Sequence, residues 1–332
     1  MTPNQKTIGT FECTFEAFID HLPWIENGAQ VGMKAMSPHL LQFDISDALG
    51  KEMRVSDGWY RECAIEKELS KIARPEDYFG PLLEEANFSE VAAFIMAEPA
   101  GLKVLDIGVG RGQSTLFIAA HGHHVTAVEP SEMACCDLEK IAKHLKLSLE
   151  VYQGIAEVVD QLPENSFDLV IFNSSLHHCD DPVRALKNCY RVLKPSGRVA
   201  LLNEPLLKPF RSKSWYYRRL ETHPMEMGHY GGNEHVYYAW EYKRMLRTAG
   251  FRDTKIERSH HITDLRKWVQ QMVKAQVGGG FVYSEFKLLL HFAWHFALSR
   301  LSRISPLKRM LQTLSLLPVS FQAWKRSPLE VS

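Results

Sequence analysis

Val104-Leu105-Asp106-Ile107-Gly108-Val109-Gly110-Arg111-Gly112-Gln113-Ser114 runs from a short apolar strand, closed by an acid, through three glycines into the start of a helix. Glycine is needed where backbone must turn tightly or meet a ligand with no Cβ in the way. Two kinds of ligand compete for such a turn. A dinucleotide site wants Gly-x-Gly-x-x-Gly, with pyrophosphate resting on the helix N-terminus. Here the spacing is Gly-x-Gly-x-Gly, and Gln113 stands where the third glycine would fall. Asp106 would repel pyrophosphate but receive the ammonium of a methionine moiety.

The alternation continues downstream. His124 to Val128 is a second strand, ended by Glu129-Pro130, and Ser131 caps a helix through Lys143 with Glu132 in its first turn. Leu149 to Tyr152 is a third strand. Phe167 to Phe172 is a fourth, almost wholly apolar, as a strand covered on both faces should be. A helix over Pro182–Leu193, a break at Pro195-Ser196-Gly197 and a fifth strand over Arg198–Leu202 complete the pattern. Strands alternating with helices specify an α/β fold with a doubly wound, mostly parallel, Rossmann-like sheet.

This core is expected over 99–260, with Ala239–Ala249 an amphipathic helix and Thr254–Glu257 a strand. Residues 205–235 follow the fifth strand and carry Trp215, Tyr216, Tyr217, Pro224, Gly231 and Gly232; so long and irregular an insertion reads as a lid. Residues 1–98 form a mainly helical extension, with helix from Glu62 to Ile95 broken at Asp77–Pro81. Residues 261–332 form a helical, basic extension, and Phe281-Val282-Tyr283 is one candidate for a further strand.

The 332 residues are 45% apolar and 23% charged, which excludes collagen, coiled-coil rods and disordered acidic tails. The formal net charge is zero but unevenly spread: residues 1–95 hold 8 Lys/Arg against 16 Asp/Glu, and residues 207–332 hold 21 against 9. The two ends therefore complement each other, or the basic end meets a phosphate or a membrane surface. Between Phe281 and Trp324 the basic stretch reads as a helix docked on its own domain or on a second subunit of a homodimer, or as a membrane-surface segment. No apolar run reaches the roughly 20 residues of a membrane-spanning helix. The six cysteines form no Cys-x-x-Cys pair, and the first residues lack a secretory pattern, so reduced thiols and a cytoplasmic location are expected.

The segment 100–205, and more loosely 235–260, resembles the class I S-adenosylmethionine-dependent methyltransferases, nearest in look to the broad type-11 group. Five motifs carry the resemblance in the family's order: the glycine turn, Glu129 at the end of the second strand, Gly154-Ile155-Ala156-Glu157, Asn173 to Pro182, and Arg191 to Arg198. It implies S-adenosyl-L-methionine as cofactor, with Asp106, Gly108, Gly110, Gly112, Glu129, Met133, Ala156 and Asn173 around it. Glu129 would take the ribose hydroxyls, Met133 the adenine face, and the 154–157 segment the adenine edge. Ile155 stands where the family often has aspartate, so backbone at Ile155 and Ala156 or the Glu157 side chain would substitute.

The acceptor side follows strands four and five. An imidazole titrates near neutral pH and can take a hydroxyl proton. His177 is the first candidate base, His178 the second, with only one expected to reach the substrate because neighbouring side chains diverge; Glu204 is a third candidate, as base or substrate anchor. His223, His229, His235, Tyr237, Tyr238, Glu226 and Glu234 match no standard ligand spacing, so no metal is expected. The reading is an enzyme that methylates oxygen on a small-molecule or glycan acceptor. Nitrogen or carbon acceptors and a non-catalytic cofactor-binding module are the alternatives. Nucleic acid is disfavoured, because Asn173 is followed by Ser174-Ser175 and not by the Pro-Pro-Tyr/Phe of many base methyltransferases.

Overall fold

The computed structural model describes residues 38–62, 65–83, 85–224, 226–258 and 319–325. Its strands are β1 (His39–Leu40), β2 (Lys103–Ile107), β3 (His124–Glu129), β4 (Leu149–Gln153), β5 (Phe167–Asn173), β6 (Leu193–Leu202), β7 (Arg252–Arg258) and β8 (Val319–Trp324). They form one sheet in the order β1-β4-β3-β2-β5-β6-β8-β7. Neighbours run parallel except at β8, which is antiparallel to both β6 and β7. Leu169, Val170, Ile171 and Phe172 of β5 have no exposed surface, because helices cover both faces of the sheet.

The helices are α1 (Asp47–Glu62), α2 (Ile65–Leu69), α3 (Pro75–Leu82), α4 (Ala86–Met96), α5 (Gln113–Ala120), α6 (Glu132–His144), α7 (Pro182–Val192), α8 (Lys213–Thr222) and α9 (Ala239–Thr248). From β2 the chain steps outward through β3 and β4, then returns to the other side of β2 for β5 and β6. Right-handed crossovers in opposite directions place their helices on opposite faces. One core accordingly joins α4, α5 and α6 through residues such as Phe88, Phe117 and Leu138. The other joins α7 and α9 through Leu186, Cys189, Tyr242 and Leu246. Strand order reverses between β2 and β5, and their carboxyl ends open a crevice. This is the doubly wound architecture that the sequence pattern specifies. Ser131 caps α6 by accepting from Ala134 N, as its position before Glu132 implies.

Three expectations are corrected. The proposed break at Asp77–Pro81 lies inside α3: Pro75 opens that helix, and the Asp77 carboxylate accepts the N–H groups of Ala73 and Arg74, so these residues start a helix here. The C-terminal extension is not helical throughout, because Val319–Trp324 is a strand inserted between β6 and β7. Phe321 reaches the core beside Tyr242, with ring centroids 5.3 Å apart. The candidate strand Phe281-Val282-Tyr283 and the basic stretch up to residue 318 lie outside the described residues. Finally, the 205–235 insertion is not wholly irregular: Ser212 accepts from Trp215 N and starts α8, while Arg211 lies 4.3 Å over the Trp215 ring. No helix among the described residues is long and apolar enough to cross a membrane.

Candidate active site

A cleft enclosing about 820 Å³, counted out to its open mouth, lies over the carboxyl ends of β2 to β5. Its floor is the glycine turn. Gly108, Gly110 and Gly112 all have positive φ, at 71°, 54° and 75°. A Cβ on Gly108 would fall 2.5 Å from Ser175 Cβ, and one on Gly112 would fall 2.3 Å from Leu138 Cδ1. Gly108 thus lets the β2 and β5 turns close together, and Gly112 lets α5 start against α6. Asp106 lies beneath this floor and off the cleft wall: its carboxylate accepts the Thr115 hydroxyl at 2.7 Å, and burial pushes its pKa up to about 6.

Glu129 stands on the cleft wall, accepting Gly110 N at 2.8 Å and Ser131 N at 3.2 Å. Burial pushes it up to about 7 against those two donors. Gly154, Ile155, Ala156 and Glu157 line the cleft beside it. Glu157 also accepts Asp181 N at 3.0 Å, which ties this segment to the start of α7. Gly112, Met133 and Asn173 are not on the wall. Met133 is half-buried on the first turn of α6. Asn173 is held side-on, its amide donating to Ser114 Oγ at 3.0 Å and accepting from Asn203 at 2.7 Å.

The fourth wall was not anticipated. Leu49, Glu52, Ser56 and Tyr60 of α1 line the cleft. They are spaced three, four and four residues apart, one face of a helix, which was the signal available in the sequence. Arg111, between two of the glycines, fastens this helix: its guanidinium lies 5.2 Å over the Tyr60 ring, donates to Tyr60 O at 3.0 Å and pairs with Asp137 and Glu68, each at 3.3 Å. The Asp57 carboxylate accepts the Ser131 hydroxyl at 2.5 Å on the same side.

After β5 a single 3₁₀ turn, Leu176–His178, carries both candidate histidines. Their rings do not diverge; the centroids are 4.1 Å apart at 42°. His178, not His177, is on the cleft wall. His178 Nδ1 bonds to Asn233 O and lies 3.2 Å from Glu52 Oε1. Burial disfavours its charge, but Glu52, Glu234 and the Asn233 carbonyl together outweigh burial and raise it to about 9. His177 is buried, with Nδ1 2.9 Å from Glu204 Oε2 and Nε2 3.7 Å from Glu234 Oε1.

Glu204 lies beneath this turn, not at the cleft. One oxygen accepts Ser175 N and Leu176 N, at 3.0 and 2.9 Å; the other takes His177 N, His177 Nδ1 and the Tyr242 hydroxyl. Burial would raise its pKa, yet His177 and the backbone donors hold it below the usual carboxylate range. Glu204 is therefore an anchor for the histidine turn, with no lone pair free to act as a base. Among the lid residues grouped in the sequence, Glu234 joins His177 and His178, whereas His223, at 4.0 Å from Glu226, stands apart as a surface pair.

Residues 105–201 match the family profile described as "Methyltransferase domain". The chain is similar to the rice 2-methyl-6-phytyl-1,4-hydroquinone methyltransferase 1, chloroplastic, at 32% identity over 161 residues, 48% of this chain and 43% of that protein. It is similar to a ubiquinone biosynthesis O-methyltransferase of Pseudomonas putida at 35% over 106 residues, 31% of this chain and 44% of that protein. The matches thus span less than half the length of these relatives. Among solved structures, Haemonchus contortus phosphoethanolamine N-methyltransferase 2, in complex with S-adenosyl-L-methionine, aligns with a TM-score of 0.46 at 18% identity, covering 72% of this chain and 52% of that one. Residues 105–201, which hold the glycine turn and the central parallel strands of the sheet, are thus similar to a methyltransferase domain.

Proposed function

We propose that this chain transfers a methyl group from S-adenosylmethionine to an oxygen of a small-molecule acceptor. The observation that carries the reading is one cleft bounded by the glycine turn, the Glu129 carboxylate and the histidine turn, at the reversal of strand order. The residues fit this cofactor. The floor is a cradle that side chains on Gly108 and Gly110 would obstruct, and Glu129 keeps lone pairs beyond those taken by Gly110 N and Ser131 N. Glu129 would hold the ribose hydroxyls, and backbone at Gly154 to Ala156 the adenine edge. When bound, the cofactor supplies a methyl group made electrophilic by its sulfonium. The chain's own contribution is orientation, which can supply several kcal/mol of barrier lowering without covalent help. The acceptor would lie against the wall formed by Glu52, His178, Asp180 and Asn233.

S-adenosylhomocysteine is expected to bind at micromolar concentration in calorimetry and to raise the melting temperature. Glu129→Ala should weaken that binding by roughly 1.5–3 kcal/mol, the range for hydrogen bonds to a charged group. Because Glu129 is pushed up to about 7, its ionised, twice-accepting form grows as pH rises, so affinity should climb through pH 7 and the variant should lose that dependence. Binding of NADH without binding of S-adenosylhomocysteine would overturn the reading. A panel of phenols, hydroquinones, amines and glycans, followed by a mass gain of one methyl, identifies the acceptor class.

Residues 205–235 act as the lid in this reading. Tyr230 meets Trp59 of α1 edge-on at 6.1 Å, and Asn233 N donates to Glu52 at 3.1 Å, so the insertion and α1 close one side of the cleft together. Hydrogen exchange over this segment should slow when both ligands are bound. Equal exchange in free and ligated protein would exclude a lid.

A further inference from the structure

Three carboxylates, Glu52 of α1, Glu204 just after β6 and Glu234 near the end of the lid, meet the two imidazoles of the histidine turn. In the ion pairs of the described residues none of the three is matched by Lys or Arg. Glu204 is surrounded by donors and accepts at His177 Nδ1, which leaves Nε2 as the nitrogen that faces outward. Nε2 lies 3.7 Å from Glu234 Oε1. A proton or a metal ion bridges such a pair.

We infer that His177, His178 and Glu234 form a divalent transition-metal site, zinc-like in its donor set, on the acceptor side of the cleft. One ligating atom from each lies within 4.8 Å of the others. Zinc holds nitrogen and carboxylate oxygen at about 2.0–2.2 Å, so closure requires a contraction of about an ångström. The supporting shell is already built. Glu204 orients His177, the Asn233 carbonyl orients His178, and Met227 N donates to the other oxygen of Glu234 at 2.8 Å. Histidines and carboxylates that ligate metals usually have orienting partners of this kind. Two imidazoles and one carboxylate leave a fourth position open, the pattern of catalytic zinc. Nitrogen-rich sites of this kind select zinc and its first-row neighbours over magnesium or calcium. His178 is on the cleft wall, with His177 and Glu234 behind it, so the site adjoins the space assigned to the acceptor. The ion takes the place of the protons these pairs otherwise share. The acceptor role rests on the methyl-transfer reading; the metal site does not.

The test uses the full chain stripped with chelator and titrated with Zn²⁺ in a weakly competing buffer, with metal content measured after gel filtration. One ion per chain is expected, with a raised melting temperature. Glu234→Gln and His178→Ala should each weaken binding at least tenfold and abolish the thermal shift. Co²⁺ in place of Zn²⁺ provides a readout on the unaltered protein: visible absorption bands of an ordered nitrogen–oxygen site, displaced by Zn²⁺ but not by Mg²⁺. Less than one ion per chain, affinity unchanged in both variants, or no Co²⁺ spectrum would overturn the site. S-adenosylhomocysteine binding to the stripped protein separates the two readings: binding without a metal site sinks this inference alone, and a metal site without binding sinks the methyl-transfer reading alone.

Discussion

Glu204→Ala is expected to destabilise the protein by about 3–5 kcal/mol, the cost of breaking a buried charged network by removing one partner. The change leaves three backbone N–H groups, the His177 ring N–H and the Tyr242 hydroxyl without their acceptor. Each buried donor left unsatisfied costs about 1–3 kcal/mol, less whatever water recovers. Glu204→Gln should cost less, because the amide keeps one acceptor oxygen although its NH₂ opposes donors. Equilibrium unfolding in urea measures both. Sign and pH window follow from the depressed carboxyl: the stabilisation is present above the ordinary carboxylate pKa and is lost as pH falls toward the lowered folded value. An Ala variant within about 1 kcal/mol of the parent protein would show that the histidine turn is held by packing and not by this anion.

Gly108→Ala is expected to be nearly as damaging and to remove cofactor binding as well. At φ 71° a Cβ costs about 1–2 kcal/mol in backbone conformation alone. The added carbon would also stand 2.5 Å from Ser175 Cβ, and Ser175 cannot swing away because its hydroxyl is bonded to Ile107 O at 2.6 Å. Overpacking of this kind adds about 1–3 kcal/mol. The clash pushes the β2 turn away from the β5 turn, and the cradle opens. A double variant, Gly108→Ala with Ser175→Gly, should recover the steric share but not the conformational share. Thermal melts and S-adenosylhomocysteine titration read the two consequences separately. Full binding in the single variant would show that the turn tolerates a side chain and that its glycines serve some other need.

Much of the candidate site was legible because its parts are local. Gly108, Gly110, Glu129 and the 154–157 segment each end or follow a strand, and parallel strands bring their carboxyl ends to one edge of the sheet; Gly112, which starts α5, packs on Leu138 instead. That is why residues far apart in the chain could be expected around one ligand. Asp106, Met133 and Asn173 share those strand ends or the turn that follows, but distance along the chain says nothing about depth. Asp106 and Asn173 are held by Thr115, Ser114 and Asn203, while Met133 lies on the flank of α6. The two histidines show the same limit: a turn of 3₁₀ geometry brings together, at a tilt, rings that an extended backbone would have separated.

The sequence by itself determined the order of strands and helices, the sheet they build and the glycine turn at its edge, because hydrophobic period, caps and glycines act over a few residues. Only the tertiary structure decided the rest. Helix α1 becomes a wall of the cleft because Arg111 draws Tyr60 onto the glycine turn from 51 positions away. Val319–Trp324 becomes a strand because β6 and β7 leave a gap that its alternating side chains fill. Glu204 becomes an anchor, and Glu234 a partner of His177, because folding brings donors and carboxylates together where neither can keep its water. Such contacts depend on which surfaces meet, and no local pattern in the chain records that.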